Sequence, residues 1–402
     1  MNKPDGDKRQ AAVPDLDLDK TSVVDGNLRI LFSVTLMAVL GVSSITPAFP
    51  RIAEELDVSV QSISLLITVF TLPGIVLTPI FGVLADRFGR KRILVPSLLL
   101  FGLAGSACSL MRDFNLLVLF RFFQGIGAAS IMSLNTTIIG DLYTGHDRRT
   151  AMGYNASVLS VGTASYPLIG GALASLAWYY PFALPLIAIP IAMAVLFRLK
   201  NPEPENPEEL RSYFTGVRRA MNSRIAGIFI GSLLTFVILY GSYLTFFPFL
   251  IKNRFDGSPV TIGLLMSSMS ATTALTSSQL GRLGRRFGPE RLLQVGALLY
   301  VVALGAMPLM PEIWMLVFPA MIFGAAQGLN IPNLQALLAG LAPMEYRAAF
   351  MSTNAMVLRT GQTLGPVILA ALFSLWGLEG VFFSGGAIAL LLLATVSVLI
   401  RR

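Results

Sequence analysis

Two arginines stand inside long apolar stretches of the sequence, where a charged side chain is costly. Arg121 lies in the apolar run 115–140, and Arg359 lies near the middle of the run 345–373. A charge inside a membrane costs several kcal/mol unless it finds water or partners, so such a residue indicates function. Gln362 stands three residues after Arg359, and both side chains can share one helix face. We therefore expect Arg359 and Gln362 to line a cavity; the alternative is a packing arginine bonded to exposed backbone carbonyls.

Uncharged polar side chains in the same apolar runs could hydrogen-bond a small molecule. A binding site for such a molecule is mostly apolar surface with a few polar groups. The candidates for the lining of a cavity are Asn135, Tyr240, Tyr243, Gln327 and Asn330. Hydrogen bonding between helices explains any single one of them at least as well, so both interpretations stay open.

Acidic side chains are missing from the interior of every apolar run. Glu54 and Glu55 stand at one end of the predicted membrane layer, and Asp86 and Asp141 stand at the other. Any central cavity is therefore neutral to positive. We hypothesise that it accepts neutral or anionic amphipathic molecules.

The chain offers little material for catalysis or for a metal site. It has one histidine and one cysteine, no paired carboxylates inside the apolar runs and no Walker-type phosphate loop. We expect no catalytic residue, no metal and no cofactor. This counts against a membrane enzyme, and the lack of any sizeable domain outside the apolar runs counts against a receptor.

The composition is that of a protein that crosses a membrane many times. Apolar residues make up 54% and charged residues 13%, about half the charged share of a soluble protein. Runs of ~20 apolar residues recur along the chain, each long enough to cross the hydrocarbon layer as a helix. The runs do not alternate, which favours helices over barrel strands. The predicted spans are 28–50, 60–84, 93–111, 115–140, 150–175, 181–199, 225–249, 259–282, 292–310, 313–340, 345–373 and 380–400.

An internal repeat divides these twelve spans into two sets of six. The charged stretch 82–92 recurs as 281–291, and the stretch 148–167 recurs at the same offset as 347–366. Two separate matches at one offset indicate two parallel copies of one unit. The predicted organisation is a disordered cytoplasmic tail (1–27), two six-helix bundles (28–199 and 225–402) and a cytoplasmic linker (200–224).

The distribution of basic residues predicts the orientation. Most of the 30 Lys and Arg residues lie in the termini, in the linker and in the two charged stretches, which we call hinges (82–92 and 281–291). By the positive-inside tendency, both termini and both hinges are cytoplasmic in a cell membrane. The basic residues that give the net charge of +8 therefore lie mostly on one side of the membrane, and they do not indicate that the protein binds nucleic acid. We expect the protein to function as a monomer.

The first half contains three motifs of small and charged residues. They are Gly82-x-x-Ala85-Asp86-Arg87-x-Gly89-Arg90-Lys91-Arg92, Leu117-x-x-x-Arg121-x-x-Gln124-Gly125-x-Gly127-Ala128-Ala129 and Gly162-x-x-x-Tyr166-Pro167-x-x-Gly170-Gly171. These motifs resemble those of the major facilitator superfamily, and within it those of the twelve-span drug:proton antiporters, where the first motif is the signature that follows span two. The second hinge departs from the signature, with Arg285 in place of the acid, so any ion-pair latch must differ there.

The resemblance implies both a fold and a set of roles. Two pseudo-symmetric bundles enclose a cavity that opens to one side at a time. Arg121 would couple transport to protons, with Gln124 steadying it. Asp86, Arg90 and Asp141 would form a latch that locks the cytoplasmic side; a topological role for the bases is the alternative. The small residues are expected to form a helix-packing motif, and these are Gly162, Pro167, Gly170 and Gly171.

The function predicted from the sequence is secondary active transport. The protein would export small amphipathic molecules, in multidrug fashion, by alternating access and in exchange for protons. The alternative within transport is an exporter dedicated to one metabolite, such as a siderophore, a sugar or a lipid.

Overall fold

The computed structural model describes residues 24–200, 221–343 and 346–400. Every regular element in these ranges is a helix. Most of the predicted tail (1–27) and of the predicted linker (200–224) lies outside the described residues. The division into two domains and a linker therefore stays a prediction.

The first half of the chain forms six long helices. They are α1 (Gly26–Glu55), α2 (Val60–Phe88), α3 (Arg90–Leu110), α4 (Phe114–Leu142), α5 (Gly145–Leu176) and α6 (Tyr180–Arg198). A 3-10 turn at Thr46–Ala48 interrupts α1, and Tyr180–Ile187 is wound as a 3-10 segment at the start of α6. Pro47 and Pro181 lie at the starts of these two segments, where a missing backbone donor costs least.

The second half forms the matching set of helices. They are α7 (Ser223–Phe255), α8 (Pro259–Phe287), α9 (Pro289–Leu309), α10 (Ile313–Leu341), α11 (347–376) and α12 (378–400). Gly377, with φ 67° and ψ −168°, separates α11 from α12. Ile238–Phe246 in α7 is wound as a π-helix, a wide turn that is frequent at functional sites.

Not every one of these helices is apolar along its whole length. Ten helical stretches in the described part of the chain are long and apolar enough to cross a membrane, with α11 and α12 counted together. α8 has the length, 29 residues, but it is rich in serine and threonine. The count of twelve spans stays a prediction.

The two hinges have the same backbone design. Each contains a single glycine with positive φ between two helices, Gly89 (φ 97°) between α2 and α3 and Gly288 (φ 77°) between α8 and α9. Only glycine adopts this conformation without steric cost, so each hinge ends one helix and begins the next within one residue.

Both hinges lie on one face of the molecule. α1 and α5 run in parallel, since Gly162 packs against Leu36 and Gly170 packs against Ser44. α8 runs antiparallel to α5, so its hinge end lies beside the start of α5. α2 returns from the end of α1, which brings its own hinge end to the same side. We call this side the hinge face and the opposite side the far face.

Close approach of glycine to backbone holds the helices together within each half. A Cβ on Gly127 of α4 would lie 2.7 Å from the Ser97 oxygen of α3. In the second half, a Cβ on Gly365 of α11 would lie 2.8 Å from the Val237 oxygen of α7. Packing of backbone on backbone is the usual means of helix association where apolar burial offers no advantage over lipid.

Candidate functional site

The two halves meet along a seam formed by α2 with α11 and by α5 with α8. Between α2 and α11, the hydroxyls of Thr71 and Thr363 lie 2.9 Å apart, and the Thr68 hydroxyl donates to the Thr363 carbonyl at 3.3 Å. Nearer the far face, the Gln61 amide donates to the Ser374 hydroxyl at 3.3 Å. These bonds join the halves from mid-membrane outward to the far face.

The α5–α8 side of the seam is reciprocal. Gly171 of α5 packs against the backbone of Pro259 in α8, and Gly263 of α8 packs against the backbone of Pro167 in α5. A Cβ on Gly263 would lie 3.0 Å from the Pro167 carbonyl carbon and would come closer still to its oxygen. Neither helix can carry a larger residue at this crossing without moving away from the other.

Charged groups close the seam at the far face. Lys252 at the end of α7 lies 3.5 Å from Glu54 at the end of α1 and 2.6 Å from Asp256. The hydrogen bond from Lys252 lowers the pKa of Asp256. Arg51 donates to the last carbonyls of α5, those of Ala174 and Ser175, at 2.7 and 2.9 Å. A shallow cavity of about 730 Å³ opens between these side chains toward the far face.

The helices of the seam are exposed toward the hinge face. In α5, Tyr154 is 47% exposed, and a Cβ added to Gly153 would have no neighbouring atom within 4 Å. In α8, Gly284 has equally open surroundings. The seam is thus closed at the far face and loose at the hinge face.

Arg121 is enclosed within the first half. Its side chain is fully buried, and it donates to the carbonyls of Leu66 in α2 (3.0 Å) and Gly41 in α1 (2.8 Å). It also donates to the Gln124 side chain at 2.7 Å, and its guanidinium stacks 4.1 Å from the Phe70 ring centroid. The charge is held by carbonyls and an aromatic face, and it joins α1 and α2 to α4.

Arg359 lies in the seam itself. Its side chain is half-buried and packs over Gly74 of α2. A Cβ added to Gly74 would lie 3.1 Å from Cδ and 3.2 Å from Nε of Arg359. Nη1 donates to the Gln362 side-chain oxygen at 3.1 Å. Tyr240 of α7 lies on the neighbouring helix: Gly361 of α11 packs against Phe236 of α7, and Tyr240 stacks on Phe236 with ring centroids 5.9 Å apart. The structure therefore brings together three of the predicted cavity residues, Arg359, Gln362 and Tyr240.

The structure places Asn135 in a different environment. It is fully buried within the first half and donates to the Thr35 hydroxyl at 2.6 Å, which in turn bonds Asn155 at 2.5 Å. This network joins α4, α1 and α5. The geometry is that of a hydrogen bond between helices, the alternative already open for this residue.

Tyr243, Gln327 and Asn330 form a second group, inside the second half. Tyr243 stacks on Phe323 with ring centroids 4.6 Å apart, and the Gln327 side chain accepts from Tyr300. Asn330 is fully buried and donates to the Ala326 carbonyl at 2.9 Å. These side chains lie in the interior of the bundle and away from the Arg359 group.

The predicted latch residues are in contact at the hinge face. Arg90 at the start of α3 forms ion pairs with Asp141 at the end of α4 and, at 3.5 Å, with Asp86 at the end of α2. All three residues belong to the first half. In the second half, Glu290 at the start of α9 pairs instead with Arg224 at 2.9 Å, and Arg224 also donates to the Ile400 carbonyl.

The hydroxyl-rich middle of α8 was not identified from the sequence as part of the site. Four of its hydroxyls bond back to the helix, as Ser268 does to the Leu265 carbonyl, and Thr273 also reaches the Gly324 carbonyl of α10 at 3.0 Å. The low apolarity of this span compared with its neighbours was a signal for it. The hydroxyl residues are Ser267, Ser268, Ser270, Thr272, Thr273, Thr276, Ser277 and Ser278.

Two sets of membrane-length helices that meet along a polar seam, closed at one face and loose at the other, define a transporter of the alternating-access class. The family model of the Major Facilitator Superfamily matches residues 31–258 and 228–402. The chain belongs to this superfamily, as its motifs predicted, and the predicted helical membrane fold is confirmed.

Curated relatives cover nearly the whole chain. It is 28% identical over 370 residues to a bacillibactin exporter of Bacillus subtilis, with 87% of this chain and 90% of the relative covered. It is 27% identical to multidrug resistance protein 1 of the same organism, with the same coverage. It is 22% identical to the class B tetracycline resistance protein of Escherichia coli, covering 87% and 89%.

Solved structures share the fold at lower identity. The nucleoside transporter NupG superposes with a TM-score of 0.80 at 13% identity, covering 93% of this chain and all of that one. A bacterial homologue of the lysosomal transporter Spinster, in an inward-facing conformation, superposes with a TM-score of 0.77 at 16% identity, covering 93% and 96%. At these identities the likeness concerns the fold alone.

Proposed function

We propose that the protein exports small amphipathic molecules across the cell membrane in exchange for protons, and that it works as a monomer. The observation that carries the proposal is the seam, which is closed at the far face by backbone contacts and loose at the hinge face. Membership of the superfamily and relatives named as multidrug and tetracycline resistance proteins support export.

The hinge face is proposed to be cytoplasmic, because the basic residues of both hinges lie there. With that orientation the structure is the cytoplasm-open state of the cycle, the state in which an exporter takes up its substrate. Rocking of the halves would open the Gly171–Gly263 crossing and bring the hinge face together.

The hinge network is proposed to act after this movement. The side chain of Asp86 is 33% exposed in the present state, while Arg90 is buried and paired. α11 begins on the hinge face, antiparallel to α2, and the start of a helix attracts negative charge. When the halves close, Asp86 would face that helix start, and Arg90 and Asp141 would hold its position.

Arg121 is proposed to carry proton coupling. It joins carbonyls of α1 and α2 to α4, so a shift of any of these helices changes its hydrogen bonds. Replacement by lysine keeps the charge and loses the fork that reaches two carbonyls. Gradient-driven export should therefore fall steeply in Arg121→Lys, while substrate binding without a gradient is retained.

Transport in proteoliposomes tests the proposal. The full chain would be reconstituted with an imposed pH gradient, and uptake of dyes, antibiotics and organic acids would be measured with and without a proton ionophore. Flux that depends on the gradient and is abolished by the ionophore is the expected result. Unchanged flux after collapse of the gradient, or unchanged gradient-driven flux in Arg121→Lys, would contradict proton exchange or the role of Arg121, respectively.

A second candidate is an exporter dedicated to one metabolite. The similarity to a protein named as a bacillibactin exporter, over 87% of this chain, favours it. Competition in the same proteoliposomes distinguishes the two. A multidrug exporter is inhibited by many unrelated compounds, whereas a dedicated exporter is inhibited only by close analogues of its substrate.

A further inference from the structure

We infer that Arg359, Gln362 and Tyr240 form the binding site for an organic anion that carries an aromatic ring, a site that names the substrate class of the proposed exporter and rests on that function. The site lies at mid-membrane, on the seam between the halves. Arg359 and Gln362 belong to α11, and Tyr240 belongs to the π-helical part of α7.

The first argument is charge balance. In the described helices, Asp and Glu occur only within three residues of a helix end. Two arginines nevertheless lie well inside the apolar layer. A guanidinium cannot lose its proton there and keeps its charge. The charge that is missing from the centre of this protein is therefore negative.

The second argument separates the two arginines. Arg121 is fully buried inside the first half, where it donates to two carbonyls and to Gln124; its Nη2 has no hydrogen-bond partner, but its side chain has no exposed surface that a ligand in the seam could reach. Arg359 is half-buried, donates to Gln362 and lies on the surface by which one half faces the other. A guanidinium has five N–H donors. Gln362 takes one of them, and two of the others can form parallel hydrogen bonds to a carboxylate or sulfonate.

The third argument is the aromatic wall beside the guanidinium. Tyr240 stacks on Phe236 with ring centroids 5.9 Å apart, and Tyr240 is half-buried on the helix that packs against α11. Gly361 allows this arrangement, because a Cβ there would lie 2.8 Å from Cβ of Phe236. A planar ring attached to an anionic group can thus contact aromatic surface while its charge meets Arg359.

Three probes with the same ring and different charge test the inference. They are 2-naphthalenesulfonate, 2-naphthalenemethanol and 2-naphthylmethylammonium. Binding to the full chain in lipid nanodiscs would be measured by calorimetry, with no pH gradient. The sulfonate should bind at least about tenfold more tightly than either other probe, as expected for a charge-assisted hydrogen bond.

The variants locate the effect. Arg359→Gln should weaken sulfonate binding by about tenfold to a hundredfold, the range for loss of a bond to a charged group. Arg359→Lys should recover part of it, which also guards against misfolding of the glutamine variant. Tyr240→Leu should weaken binding of all three probes alike. Arg282→Gln is the matched control, because Arg282 also bonds a glutamine one turn away, at 3.2 Å, but is exposed near the hinge.

The outcomes distinguish this inference from the proposed function. Preferential binding of the ammonium probe, or unchanged sulfonate affinity in Arg359→Gln, would overturn the anion site, even if proton-driven export of other compounds persists. Arg359-dependent sulfonate binding without any gradient-driven flux would support the site and would count against proton exchange.

Discussion

Replacing Gly263 by alanine should shift the protein away from the conformation described above. The new Cβ would lie 3.0 Å from the Pro167 carbonyl carbon and 3.1 Å from Cα of Leu168. Ordinary contacts between carbon atoms are about 3.5–4.0 Å, so α5 and α8 must separate by roughly 0.5–1 Å. The obstructing atoms are backbone and cannot rotate away.

The cost can be placed in a range. Overpacking of a close contact costs about 1–3 kcal/mol. This cost applies to the state that is closed at the far face, and rocking open at that face relieves it. At about 1.4 kcal/mol for each factor of ten, the ratio of far-face-open to far-face-closed molecules should rise by roughly five- to 150-fold.

Distances between spin labels measure this shift. One pair, on Leu176 and Leu309, reports the far face, and another, on Arg149 and Arg282, reports the hinge face; all four side chains are exposed. In Gly263→Ala the first distance should lengthen and the second shorten.

The control lies in the same helix. Gly284 of α8 has no atom within 4 Å of a Cβ position, so Gly284→Ala should leave both distributions unchanged. Identical distributions in the wild type and in Gly263→Ala would refute the argument that this crossing closes the far face.

Three further predictions concern the charged residues. Lys252→Ala removes the ion pair with Glu54, but both side chains are partly exposed. The free-energy difference between far-face-closed and far-face-open molecules should therefore change by less than about 1 kcal/mol, and by less still at high salt. A large change in the far-face distance distribution at high salt would contradict this. Arg90→Ala leaves Asp141 without its partner and should lower the free energy of unfolding in detergent by about 1–3 kcal/mol, whereas a melting temperature equal to that of the wild type would argue against the network. Asp25→Ala removes the N-cap of α1, which accepts from the Leu28 amide at 2.8 Å, and should cost ~1 kcal/mol. Burial opposes ionisation of Asp25, but hydrogen bonds from Tyr143 and Leu28 outweigh it and lower the pKa of Asp25. The stabilisation by Asp25 is therefore present at neutral pH and should be lost as the pH falls through the pKa of the folded state. A difference in stability between the wild type and Asp25→Ala that persists at pH 2 would contradict this reasoning.

Helix positions were predictable because a membrane imposes length and apolarity on each span. The predicted span 60–84 corresponds to a helix that runs to Phe88, and the predicted span 150–175 begins at Gly145. Charged residues mark the end of an apolar span in the sequence, but the helix can continue through them. α2 continues through Asp86 until Gly89 adopts positive φ, a backbone property that apolarity does not report.

Local pairs in the site were also within reach of the sequence. Arg121 with Gln124 and Arg359 with Gln362 are each three residues apart, and helical geometry alone brings them together. Contacts between distant spans were not predictable in this way. That Arg359 covers Gly74, or that Asn135 bonds Thr35, depends on how helices rotate about their axes, which the pattern of apolar residues constrains weakly.

The wide turn in α7 changes the direction in which its two ends present side chains. Each backbone N–H of a π-helix bonds the carbonyl five residues back instead of four, so a π-turn holds about one residue more than an α-turn, and one residue of α-helix corresponds to a rotation of about 100°. The extra residue lies within Ile238–Phe246, between the surface that carries Tyr240 and the end that carries Lys252. If this turn tightened to ordinary α-helix, one end of α7 would have to rotate by that angle relative to the other. A ligand that changes the winding of α7 beside Tyr240 would thereby move Lys252 relative to Glu54 at the far face.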